Sequence, residues 1–159
     1  MKTLIVYYSL EGNTAWAAEK IAAACGFDTL RLVPVKEYPS SGFRKFLWGG
    51  KSVLMAETPA LKPYEFDGAA FERIVFGFPV WASNVAPPLR TFIKDNDLAG
   101  KRFAAFACQA GNGAEKAFGK LKAALGAEDL DAELILIDPK AHPSEENEKK
   151  LAAFCAALA

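Results

Sequence analysis

The sequence predicts an α/β protein, a three-layer α/β/α sandwich built on a five-stranded parallel sheet. Three observations lead there. Strand-like and helix-like segments alternate from end to end of the chain, the pattern of repeated β-α units joined by right-handed crossovers. Several strand-like segments are apolar throughout instead of alternating, as burial on both faces of a parallel sheet requires. The chain has 159 residues, a length that fits a single domain, 1–159, with a sizeable core.

Taken in order, residues 4–8 form an apolar run from Leu4 to Tyr8, short and rich in strand formers. Residues 14–25 carry apolar side chains at helical spacing, and Gly26 follows as a left-handed cap. A second strand spans 29–33. The connection after it is long and contains Pro34, Pro39, Pro59 and Pro63. Within it, Phe43, Phe46, Leu47, Gly50 and Leu54 share one helical face and predict a helix near 43–55. Its tail, Gly49-Gly50-Lys51-Ser52, resembles the end of a Walker motif. Lys45 stands where the first glycine belongs and no strand leads in, so the stretch reads as structural.

The third strand spans 73–78, and a helix over 87–95 opens on Pro87-Pro88. A fourth strand over 103–108 leads to a helix over 114–125, stopped by Gly126. The last strand covers 133–137. The last helix covers 144–158, with Ser144 as cap and Glu145 and Glu146 complementing its dipole.

Charge and composition exclude several function classes. Nineteen basic side chains balance nineteen acidic ones, so no global field favours nucleic acid or an anionic membrane. No segment approaches the roughly 18 apolar residues of a membrane span. Met1-Lys2 leads straight into the first strand without the pattern of a signal peptide, which predicts a cytoplasmic protein. Cys25, Cys108 and Cys155 are distant in sequence and form no C-x-x-C pair, which predicts buried free thiols. His142 is the only histidine and precedes Pro143. A histidine-based metal site or hydrolytic triad is therefore not expected.

In an open parallel sheet, ligands bind outside the carboxyl ends of the strands. Three segments here occupy such ends. The first is Ser9-Leu10-Glu11-Gly12-Asn13-Thr14, a hydroxyl- and glycine-containing turn from strand to helix. Backbone N–H groups and the positive end of the helix dipole converge there, a site suited to an anion. Glu11 is expected to point to solvent, leaving anion binding to backbone N–H groups with Ser9, Asn13 and Thr14. The second segment is Pro79-Val80-Trp81-Ala82-Ser83-Asn84, in which Trp81 can offer a flat apolar face to a planar ring. The third is Cys108-Gln109-Ala110-Gly111-Asn112-Gly113, whose amides and glycines suit the polar edge of such a ring. Together they predict an anion cradle, a stacking surface and a polar rim. A phosphorylated planar heteroaromatic satisfies all three.

At these residues the chain resembles the flavodoxins and flavodoxin-like flavoproteins over essentially its whole length. The likeness rests on Ser9-x-x-Gly12-Asn13-Thr14 and on Gly77-x-Pro79-Val80-Trp81 through Pro87-Pro88-x-x-x-Phe92-Ile93. The Gly111/Gly113 loop completes it. The resemblance implies the short-chain architecture, the sheet order 2-1-3-4-5 and noncovalent FMN. The first loop would hold the phosphate, and the other two would flank the isoalloxazine. It further implies an electron-transfer role with a redox partner protein or a small-molecule acceptor. Electron-carrier flavodoxins are usually strongly acidic, whereas this chain is neutral. Two other readings share these residues: an NAD(P)H-dependent quinone or small-molecule reductase, and a flavin-free protein-interaction module.

Overall fold

Five strands line up in parallel in the order β2-β1-β3-β4-β5, which is the predicted order. They are β1 (Thr3–Tyr7), β2 (Asp28–Arg31), β3 (Arg73–Pro79), β4 (Arg102–Gln109) and β5 (Glu133–Ile137). The computed structural model describes residues 1–39 and 57–159. The helix expected near 43–55, and with it the Walker-like tail, lies outside the described residues. Four helices stand among those described: α1 (Asn13–Cys25), α2 (Pro87–Asp95), α3 (Ala114–Leu125) and α4 (Glu145–Leu158).

The apolar runs agree with the burial of the middle strands. β1 is buried at every residue, and β3 and β4 nearly so. The edge strands β2 and β5 alternate or lie half open. One core layer joins α2 and α3 to the sheet through Leu89, Phe92, Phe118 and Leu121. The other joins α1 and α4 through Ala17, Ile21, Leu151 and Phe154. Between the layers, Gly77 of β3 stands opposite Phe106 of β4. A Cβ on Gly77 would fall 2.1 Å from that ring, so this glycine exists to let the phenylalanine lie across it.

Helix ends follow the local chemistry. Gly26 and Gly126 close α1 and α3 in the left-handed conformation, with φ of 70° and 64°. Ser144 caps α4 by accepting the Asn147 N–H at 3.1 Å. Asn147, fully enclosed, then bonds both the N–H and the C=O of Ile137 and finishes the end of β5.

β2 stops two residues short of the predicted end. Beyond it the chain pairs with 60–62: Lys62 donates to Val33 O at 2.7 Å and Val35 to Ala60 O at 2.8 Å. Proline brings no N–H, and the chain leaves the sheet there to bridge Leu61 in antiparallel sense. The amino edge of the sheet is tied by ions. Asp131 receives Arg73 Nε at 2.8 Å and Arg102 Nη2 at 2.8 Å, while Arg73 Nη1 holds the Leu158 carbonyl.

No helix among the described residues is long and apolar enough to cross a membrane. Cys25 and Cys155, distant in sequence, meet side by side on α1 and α4 and are only half-buried, unlike the buried thiols expected for all three. Cys108 alone is fully enclosed.

Candidate functional site

The chain runs from β1 to the outer strand β2 and then crosses to β3 on the other side of β1. That reversal opens a crevice at the carboxyl ends of β1 and β3. The Ser9–Thr14 turn and the loop from Pro79 both lie there.

In the first turn, Gly12 is the residue before α1 and has φ 100° and ψ −9°. Side chains rarely adopt that conformation, so glycine is required. Ser9 Oγ accepts the Ala15 N–H at 3.1 Å and Gly12 O accepts the Trp16 N–H at 2.9 Å. The N–H groups of Asn13 and Thr14 are the ones helix geometry leaves without an intrahelical acceptor. Two of the predicted anion-binding side chains also have partners within the protein. Asn13 Oδ1 accepts the N–H groups of Lys140 and Ala141, at 2.9 and 3.3 Å, so Asn13 ties down the loop after β5. Thr14 is buried, with its hydroxyl beside the Cys108 thiol. Glu11 is exposed at the lip, as expected.

In the second loop, Ala82 and Ser83 both have left-handed backbones, with φ of 49° and 60°. Asn84 N–H closes the turn on Trp81 O at 3.0 Å. Two positive φ values define a type I′ turn, ordinarily filled by glycine or asparagine, so this one stores strain. Trp81 stands edge-on to Tyr8 and Tyr38, with ring centroids 5.8 and 5.4 Å away. Asn84 faces away from the crevice: its Nδ2 holds Ala82 O at 2.7 Å and its Oδ1 takes Lys120 and Arg90.

The third loop repeats the geometry of the first. Gly113 precedes α3 with φ 103° and ψ −6°, and Gln109 Oε1 accepts the Ala114 N–H at 3.0 Å. A Cβ on Gly113 would meet Ser83 Oγ at 2.6 Å, so the second and third loops are in contact. Gly111 and Asn112 are exposed and lie outside the cleft lining.

The cleft between the first two loops, floored by Cys108 and Gln109, has a volume of about 70 Å³. That suits a small anion and is well below the roughly 300 Å³ at which small-molecule pockets begin. A second cleft of about 350 Å³ opens on the β2 side of Ser9 and Leu10, bounded by Tyr8, Arg31, Pro34 and Tyr38. Burial raises the Tyr8 phenol, and the neighbouring Tyr38 adds to that, so Tyr8 stays protonated. Burial likewise pushes the Cys108 thiol up to about 12, leaving it a neutral wall and not a nucleophile.

Sequence reasoning missed the loop after β5. Asp138, at φ 36°, lines the cleft. Lys140 lays its side chain over Gly12, where a Cβ would come within 3.0 Å of its Nζ. The signal was available. β5 also ends at the carboxyl edge, and the rule that singled out three loops applied to a fourth.

Fold and site together define an open α/β protein with a ligand crevice at its strand-order reversal. Comparison supplies the family. Residues 2–139 match Flavodoxin, and the chain belongs to the flavodoxin family. Among solved structures it resembles a candidate flavoprotein from Bacteroides eggerthii DSM 20697, at 25% identity and TM-score 0.78, over 99% of this chain and 97% of that one. It also resembles a flavoprotein from Lactobacillus acidophilus NCFM in complex with FMN, at 21% identity and TM-score 0.71, over 94% and 97%. A third is the two-electron reduced flavodoxin of Megasphaera elsdenii, at 20% identity and TM-score 0.59, over 99% of each chain. These last two likenesses are of fold.

Proposed function

We propose that this chain is an FMN-binding redox protein of the cytoplasm. It passes electrons through a noncovalently held flavin to a redox partner protein or a small-molecule acceptor. The cofactor follows from membership of the flavodoxin family and from the FMN complex of the Lactobacillus protein. The observation that carries the reading is the first turn. Gly12 presents bare backbone, Asn13 and Thr14 present N–H groups at the positive end of α1, and the Lys140 ammonium lies alongside.

The residues fit the group. The backbone of 10–14 and the Ser9 hydroxyl hydrogen would hold the phosphate, Ser9 Oγ being already fixed by Ala15. With only about 70 Å³ between the loops, a ring system would sit on the rim and not in an enclosed chamber. Pro79, Val80 and Trp81 form the apolar part of that rim. The Gln109 amide, its Oε1 engaged, keeps its NH₂ to donate. Ala82, Ser83, Gly111, Asn112 and Gly113 shape the backbone behind it. When bound, the flavin supplies the electron-accepting ring, while the protein binds it, orients it and limits its contact with water.

The decisive experiment is a visible absorption spectrum after addition of FMN and removal of the excess. Stoichiometric FMN with a perturbed flavin band is the expected result. A protein that keeps no flavin and perturbs no band overturns the reading.

A further inference from the structure

We propose that Arg90, Lys120 and Asn84 form a second oxyanion site, one that takes a phosphate group, beside the Trp81–Asn84 turn. Arg90 of α2 and Lys120 of α3 converge on one atom. Lys120 Nζ donates to Asn84 Oδ1 at 2.7 Å, and Arg90 Nη2 donates to the same oxygen at 3.3 Å. Among the described residues no carboxylate pairs with either cation, and residues 40–56 contain no Asp or Glu. The Arg90 Nε–H is buried and finds no acceptor among the described residues.

Two cations held against one neutral amide oxygen repel each other, and they use up both of its lone pairs. One group relieves that repulsion if it brings about two negative charges and several acceptor oxygens. A phosphate carries about −1.5 to −2 near neutral pH with three or more acceptor oxygens. It can meet Lys120 Nζ and Arg90 Nη2 together, and the planar guanidinium fork suits it. A carboxylate brings half the charge and two oxygens.

The position gives the site a use. Asn84 is fixed by its bond to Ala82 O, and the strained turn it closes carries Trp81 and leans on Gly113. A phosphorylated electron donor or acceptor anchored here would lie beside the flavin rim. That use rests on the flavin reading, whereas the anion site does not.

The test is a titration of the FMN-loaded protein with inorganic phosphate at constant ionic strength, followed by nitrogen-15 NMR. Saturable shifts are expected at the Asn84 side-chain amide, Arg90 Nε–H and the backbone of 82–84, half-complete below about 10 mM. Arg90→Gln and Lys120→Gln should each weaken the response at least about fivefold. Lys120 is on the surface, so its variant reads the site without disturbing the fold. AMP in place of phosphate separates two supporting outcomes. Tighter binding identifies a nucleotide's phosphate, and equal binding identifies the phosphate group alone. A linear response without saturation, or an equal response to acetate, overturns the proposal. Shifts confined to Gly12, Asn13 and Lys140 overturn it as well. They would also show the first turn open to phosphate in the presence of FMN, which sinks the cofactor reading separately.

Discussion

The turn before α1 and the turn before α3 are nearly the same backbone put to different chemical use. Each ends in a left-handed glycine, with φ of 100° at Gly12 and 103° at Gly113. In each, a side chain from the end of the preceding strand caps the helix, Ser9 on Ala15 and Gln109 on Ala114. What differs is what surrounds the helix end. The first turn of α1 holds no acid and has the Lys140 ammonium over its glycine, whereas the first turn of α3 carries Glu115 and its glycine has Ser83 there. A helix N-terminus favours negative charge by about 0.3–1 kcal/mol, and an acidic residue in the first turn takes up that advantage. Geometry alone does not make an anion site. The charges around it decide.

The sharpest way to break the parallel is to add a methyl group to each glycine. Gly113→Ala is expected to destabilise the protein by about 3 kcal/mol, combining left-handed strain with a clash on Ser83, whose Cα lies 3.0 Å from the new carbon. Gly12→Ala should cost about 1–2 kcal/mol, because the obstructing atom is the flexible end of Lys140. FMN affinity should rank the other way, with Gly12→Ala weakening it at least about tenfold. Urea unfolding and flavin fluorescence titration measure the two orders, and coinciding orders would refute the division of roles.

Removing the caps is the next test. Ser9→Ala and Gln109→Ala should each cost about 1 kcal/mol in thermal or urea unfolding. The serine variant should lose FMN affinity but not riboflavin affinity, since its hydroxyl would face the phosphate. The glutamine variant should weaken binding of both flavins alike through its lost NH₂. Lys140→Gln sharpens the electrostatic half of the comparison. FMN should bind about two- to fivefold more weakly, with a shallower salt dependence, while riboflavin, which lacks the phosphate, is unaffected. Equal losses for the two flavins would remove Lys140 from the phosphate site.

The smallest expected effect lies at the seam of the two turns, where Thr14 meets Cys108. Burial raises the Cys108 thiol from 9.0 to about 12 in the folded protein. The folded value is the higher one, so this group's contribution is fully present below about pH 9. It fades as pH climbs from there toward about 12. Near pH 8 Cys108, enclosed and held up to about 12, should react with a thiol reagent only on unfolding. The half-buried Cys155, held up to about 12 by burial and by Cys25 beside it, should react slowly. Rapid labelling of Cys108 in the native protein would show the seam to be open.

Much of the fold was legible because its causes are local. Ile5, Val75 and Ala104 lie in runs apolar on both faces, and only the middle of a parallel sheet buries both faces at once. Gly26, Gly126, Pro87 and Ser144 marked helix ends because each acts on its own backbone. Of the site, the three loops were legible as places. Gln109 and Ser9 were legible as polar residues but not as caps, a role set by the path of the turn after them. Ala82 and Ser83 gave no sign of their strained turn, since neither is a residue that prefers positive φ.

The sequence by itself determined the alternation of elements, the two buried layers and the turns at the carboxyl edge, because hydrophobic period and helix punctuation act over a few residues. Only the tertiary structure decided that Lys140 lies over Gly12, with Asn13 bonded across 127 positions to hold it there. The same holds for the convergence of Arg90 and Lys120 on Asn84, 36 positions from the lysine. Such meetings depend on where separate loops come to rest once the sheet has closed its order. No local pattern encodes a distance between residues that share neither an element nor a turn.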